Sequence, residues 1–203
     1  MKTLNLGYLF ISAIYFIAFL LGPQLLYSQK YFVTYGPLAL LLITIYFGRD
    51  ELKLFNWSLL KERLFLRWVY KGFQYMVFTQ AIGTLILGPF THSQAEQTTA
   101  LYSIAILHMI ISGPVVEEVV FRKVLYNKFK NISNELTGTV VSSMFYAVIH
   151  DNMERFPIYF ITGCILCSVY KKSNTIATTI LIHILINAVA LIANFIRQKG
   201  FFY

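Results

Sequence analysis

The sequence predicts an all-α fold, a polytopic membrane helix bundle of about seven transmembrane helices within bounds of six and eight. Three observations predict it. Of the 203 residues, 57% are hydrophobic and only 13% are charged, against roughly 45–50% and about 25% in an ordinary soluble domain. Apolar runs recur along the whole length, most of them near the ~20 residues that cross a bilayer as a helix. The 17 Lys and Arg outnumber the 9 Asp and Glu for a net charge of +8, yet they fall between the apolar runs. No polar face is left on which they could form the basic stripe of a nucleic-acid binder, so nucleic acid is excluded as a partner. One integral membrane domain, 1–203, uses the full length.

The runs are justified in chain order. The first, 4–27, begins behind Met1 and Lys2 like a signal peptide, but it is too long and no A-x-A cleavage site follows, so it is the first membrane helix. Ser28, Gln29 and Lys30 separate it from the second run, 31–47. The stretch 48–67 mixes charges with Leu and Trp and is assigned as an interfacial helix. The third run, 68–90, closes on Gly88-Pro89, and the polar segment 91–99 leads into the fourth, 100–126. The fifth, sixth and seventh are 137–150, 156–170 and 174–196. Arg49, Lys53, Lys61, Arg63, Arg67 and Lys71 gather between runs two and three; Lys123, Lys128 and Lys130 follow run four; Lys171 and Lys172 precede run seven. The positive-inside rule makes these three loops and the N-terminus cytoplasmic, and places 91–99 and 151–155 outside. Arg197 and Lys199 dissent from this alternation, which keeps an eighth, partial span in the count. Cys164 and Cys167, at i, i+3 in an apolar run, are packing residues.

Ionisable side chains are expensive inside a bilayer and mark function by default. In the later runs they are His108, Glu117, Glu118, Arg122, His150 and His183, joined by the amide Asn187, while the first three runs hold almost nothing comparable. Glu118 and Arg122 stand i, i+4 with the acid N-terminal, the better orientation for an ion pair. Glu117 points about 100° away, so the two carboxylates are expected to serve different neighbours, with Glu117 left desolvated as a candidate general base. The alternative is that both acids merely pair with bases across the bundle. Pro114 predicts a kink just before them. His108 precedes Glu117 by about 900° of α-helical rotation and about 13 Å of rise, which puts it on the opposite face and outside the site.

His183 and Asn187 share a face at i, i+4 and must look into the bundle, where interhelical hydrogen-bonding is the plain alternative to a catalytic role. Counted from the ends of their runs near Tyr126 and Asn174, Glu117 and His183 both lie about 13 Å deep. His150, counted from Gly138, lies about 18 Å deep, so the fifth span must tilt or start deeper for all three to meet. A carboxylate, two imidazoles and an amide at one level can activate a water and receive an oxyanion, as peptide hydrolysis requires.

The order Glu117-Glu118 with Arg122, Tyr146 with His150, then His183 with Asn187, one motif per helix, resembles the CPBP family of intramembrane proteases. That family contains the type II CAAX prenyl endopeptidases and the bacteriocin-processing, bacteriocin-immunity and abortive-infection (Abi) proteins, and its core would cover about 99–196. The family's second motif usually begins with Phe; Tyr146 stands there, which is expected to loosen packing beside His150. The resemblance implies an endopeptidase in which Glu117 is the general base, Glu118 and Arg122 support it, His150 helps hold the water, and His183 and Asn187 stabilise the oxyanion. It implies no cofactor. Zinc is the alternative, since Glu117, His150 and His183 could supply three ligands, though only by surrendering the base.

The short chain suggests a multi-pass protein of a bacterial plasma membrane, with the lipid bilayer and a peptide or membrane-protein substrate as partners. A leader peptide, pheromone or bacteriocin-related substrate is expected there in place of prenylated CAAX proteins. The competing class is a non-proteolytic membrane partner, such as an immunity protein. A third class, ion translocation, predicts polar residues on both sides of the midplane, whereas here they crowd toward one.

Overall fold

The computed structural model describes residues 6–26, 36, 38–47, 58, 61–88, 106–150 and 152–198, and every regular element among them is a helix. In order these are α1 (Leu6–Leu26), α2 (Leu38–Phe47), α3 (Arg63–Leu87), α4 (108–132), α5 (Glu135–Val148), α6 (Phe156–Ser173) and α7 (Ile176–Gln198). Each apolar run of the sequence thus holds one helix. By length and composition, one helix among the described residues can cross a membrane, at Ile176–Ile196 within α7, while Leu6–Ala18 and Leu38–Phe47 are apolar but shorter. The 14 residues of α5 rise only ~21 Å, short of a ~30 Å hydrocarbon core.

The boundaries follow local chemistry. α3 begins five residues earlier than its apolar run because Phe65 turns inward and is buried, so Arg63 and Arg67 ride on the helix. The rest of the expected interfacial segment, and the polar segment 91–99, lie largely or wholly outside the described residues. α3 stops at Gly88, whose φ of 78° and ψ of 174° are accessible essentially to glycine alone. α4 is one continuous helical path wound in four pieces: π at His108–Ser112, α at Gly113–Glu118, π at Val119–Tyr126 and α at Asn127–Ile132. The irregularity expected at Pro114 takes the form of wide turns on either side of it. Asn134 caps α5, its side chain accepting from the Thr137 N–H at 2.9 Å. Asn174, left-handed at φ 56°, ends α6 and lets α7 start at once.

α7 is central. One core cluster joins α1, α2, α4, α5 and α7 through residues such as Ile11, Leu40, Val120, Phe121, Tyr146 and Ile180. A second joins α3, α6 and α7 through Met76, Leu166, Val169, Ile182 and Ile186. Two glycines let another helix's backbone come close: a Cβ on Gly138 would lie 2.7 Å from the Tyr126 carbonyl oxygen, and one on Gly163 would lie 2.8 Å from Ser143 Cα.

α3 and α6 run antiparallel. Lys172, at the end of α6, sits over the Trp68 ring near the start of α3, while Arg155, beside the start of α6, donates to the Gly88 carbonyl at the end of α3. At the same end as Lys172, Glu135 takes ion pairs from Lys171 and, at 3.8 Å, from Lys130. Those lysines hold the exposed Glu135 carboxyl below the usual carboxylate range, Lys171 most strongly. Three of the basic clusters expected to be cytoplasmic therefore meet at one end of the bundle. Around its flanks large apolar side chains stand exposed, among them Leu6, Phe78, Leu85, Ile86 and Leu136.

Candidate active site

Three helices converge on the polar residues singled out from the sequence: α4 brings Glu117, Glu118 and Arg122, the end of α5 brings Tyr146 and His150, and α7 brings His183 and Asn187. The expected i, i+4 ion pair is present, with Arg122 Nε 3.1 Å from Glu118 Oε2 and both side chains fully buried. The guanidinium also lies 4.7 Å over the Tyr146 ring, a contact that gains strength when desolvated.

Glu117 and Glu118 were expected to serve different neighbours. Both in fact reach His183. Its Nδ1 is 2.9 Å from Glu118 Oε1 and its Nε2 is 3.9 Å from Glu117 Oε2. The 100° between adjacent residues separates the two carboxylates around one imidazole, because α7 lies in the angle between them. Glu118 is 0% exposed and Glu117 is 19% exposed, so the accessible carboxylate is the one not committed to Arg122.

Hydrogen-bond chemistry fixes the imidazole tautomers. An ionised carboxylate only accepts, so His183 Nδ1 donates to Glu118, and in the neutral ring Nε2 is an acceptor. The Tyr146 hydroxyl, 3.4 Å from that Nε2, is its donor. His150 Nδ1 donates to the Tyr146 carbonyl at 2.7 Å, which leaves its Nε2 to accept as well. The His150 ring is stacked on Tyr159 at 4.0 Å and lies 4.5 Å from the Tyr146 ring.

The depth mismatch reckoned for His150 does not arise from the chain count once the true turn is used. α4 runs past Tyr126 to Ile132, so Glu117 and His150 stand at equal chain separation from the turn at Ser133 and Asn134. Nor does Tyr146 loosen the packing. It is buried, edge-on to Phe121 at 5.4 Å, and in contact with Arg122, His150 and His183.

Asn187 takes a different place from the rest, its Nδ2 donating to the Met109 carbonyl at 2.8 Å within the first π segment. His108 is nearer the site than α-helical rotation predicts. A Cβ on Gly113 would lie 3.7 Å from both His108 Cε1 and Glu117 Oε1, so the ring and the carboxylate open onto one notch. The His108 Nδ1 is occupied by the Ser112 hydroxyl at 2.8 Å.

Two tyrosines were invisible as site residues in the sequence because they stand among other aromatics in apolar runs. Tyr159 supports His150. Tyr15 of α1 stands beside Glu117 and packs edge-on against Phe121 at 5.9 Å. Among the described residues, no three His, Cys, Asp or Glu side chains converge tightly enough to hold a metal ion. Glu117, His150 and His183, the set named for zinc, thus do not fit one as they stand.

Comparison with known proteins gives a consistent result. Residues 99–189 match the family described as Rce1-like type II CAAX prenyl endopeptidases. Over 153 residues the chain is 28% identical to the membrane-embedded CAAX protease MroQ of Staphylococcus aureus (strain USA300), covering 68% of this chain and 62% of that protein. Over 151 residues it is 26% identical to YdiL of Bacillus subtilis (strain 168), again covering 68% and 62%. The chain thus spans less than two thirds of the length of either relative. No solved structure matches it.

Proposed function

We infer, from the match of residues 99–189 to the Rce1-like type II CAAX prenyl endopeptidase family, that the protein is a membrane-embedded endopeptidase that hydrolyses a peptide bond through a water activated by Glu117. The observation that carries this reading is the division of labour between adjacent acids. Glu118 is sealed between Arg122 and His183, and Glu117 faces the same imidazole with part of its surface open.

In the proposed reaction the Glu117 carboxylate takes a proton from water as its oxygen attacks the scissile carbonyl carbon. His150 Nε2, an acceptor, steadies that water. The oxyanion is met by the remaining N–H of the Asn187 amide and by His183 whenever its Nε2 carries a proton. Collapse breaks the C–N bond, and the proton held by Glu117 passes to the departing amine. No metal is required by this scheme, and activity is expected to survive exhaustive chelation. Inactivation by chelation with recovery on stoichiometric zinc would overturn that part.

The proposed setting is a multi-pass helical bundle in a bacterial plasma membrane with a cytoplasmic N-terminus. Its support is the gathering of Lys130, Lys171, Lys172 and Lys71 at one end and the apolar flanks exposed around it. The proposed substrate is a small peptide or membrane-anchored protein, as in bacteriocin or pheromone processing. A second reading, a non-proteolytic immunity or partner-binding protein, is favoured by Asn187, whose amide is engaged by the Met109 backbone.

One experiment separates the two readings. Peptide termini are mapped by mass spectrometry in membranes from cells producing the wild-type protein or Glu117→Gln. New termini that vanish in the variant, with a rate loss of about a hundred- to ten-thousand-fold, support the protease. Identical termini in both, with the cellular phenotype retained, support the partner-binding protein.

A further inference from the structure

The catalytic residues leave one constructed feature unused. Near the basic end of the bundle α3 and α6 part around a groove of about 300 Å³, whose lining includes Trp68, Tyr75, Ile165, Val169 and Lys172. Trp68, Lys71 and Tyr75 fall at i, i+3 and i+7 and so share one face of α3. Two ammonium groups stand over the same indole, Lys172 Nζ at 5.0 Å and Lys71 Nζ at 5.6 Å from the ring centroid.

Two like charges converging on one ring repel, and nothing on either wall offsets them. Neither α3 nor α6 contains an Asp or Glu, and among the described residues neither lysine is paired with an acid, whereas neighbouring Lys171 is held by Glu135. The mouth of the groove therefore has the charge of an anion site, while its walls are apolar. Trp and Tyr at such a level are the side chains that suit a membrane–water interface. Basic pockets between membrane helices on the cytoplasmic side bind anionic head groups.

We propose that the groove between α3 and α6 holds an anionic phospholipid, its phosphate between Lys71 and Lys172 and an acyl chain along Tyr75, Ile165 and Val169. A soluble phosphate would use the lysines and leave the apolar walls without purpose. The exposed Phe78 on α3 continues the apolar surface toward the bilayer. The inference rests on the membrane-embedded reading, and the test below separates failure of one from failure of the other.

The sequence contains two tryptophans, Trp57 and Trp68, so Trp57→Phe makes Trp68 the sole indole reporter. The full-length variant is reconstituted in mixed phosphatidylcholine and phosphatidylglycerol vesicles, with brominated acyl chains on one lipid class at a time. Brominated phosphatidylglycerol is expected to quench Trp68 well beyond brominated phosphatidylcholine at equal mole fraction. Lys71→Gln or Lys172→Gln should each lower that relative affinity about fivefold, and Lys71→Arg with Lys172→Arg should retain it. Excess inorganic phosphate should not displace the lipid. Equal quenching by both lipids, or displacement by phosphate, would overturn the lipid site and leave the embedding intact. Absence of quenching by either would overturn the embedding itself.

Discussion

Tyr146 links three residues of the candidate site. Its ring lies beneath Arg122 and beside His150, its hydroxyl donates to His183, and its carbonyl receives the His150 N–H. Tyr146→Phe keeps the ring and removes one neutral hydrogen bond, worth about 0.5–1.5 kcal/mol. Peptide cleavage by this variant is expected to fall no more than about tenfold, consistent with a family that usually places Phe there. Arg122→Met is a harsher change, since it leaves the Glu118 charge buried beside His183 with no cation. Breaking such a pair costs about 3–5 kcal/mol, measurable as a loss of stability in denaturant titrations of the detergent-solubilised protein. Restoring charge balance with Glu118→Gln in the same chain should recover part of that loss.

At the level of elements, the helices were legible because long apolar runs with few charges, divided by polar or Gly and Pro breaks, suit helices and little else. The internal winding of α4 was not. Hydropathy carries no signal for a π turn, so rotation was reckoned as if α4 were uniform, and His108 was assigned to the far face. Its ring instead shares the Gly113 notch with Glu117. The end of α4 was also hidden, because 127–132 is polar but helical, and only its true end at Ile132 equalises the positions of Glu117 and His150. The motif residues themselves were legible since charge inside an apolar run needs a reason. The tyrosines around them were not, in a chain with 14 Tyr and 18 Phe.

Helix spacing gives its own test. Gly163→Ala would drive a methyl group into Ser143, and Gly138→Ala would drive one into the Tyr126 carbonyl. Overpacking of this kind costs about 1–3 kcal/mol, while Asn134→Ala, which removes the α5 cap, should cost about 1 kcal/mol. All three are read from unfolding midpoints.

Over the whole molecule, the arrangement of basic ends makes a prediction about sidedness. A cysteine introduced at the exposed Asn174, in the turn after Lys171 and Lys172, should resist a membrane-impermeant thiol reagent applied to intact cells. One introduced at Ser93 should react. The background is Cys164→Ser with Cys167→Ala, because Cys164 is partly exposed. The opposite pattern would invert the orientation and the side from which substrate enters.

The packing of α1 extends the site beyond the segment that the family comparison recognises. Tyr15 and Phe16 both lie edge-on to Phe121, Phe16 also meets Phe145, and Tyr15 reaches Glu117, yet α1 falls wholly before residue 99. A chimera that grafts 99–189 into a relative would carry the acids and leave behind the tyrosine that stands beside one of them. The unit that can be exchanged intact is therefore α1 together with 99–189, and split halves of the chain should regain activity only when both are supplied.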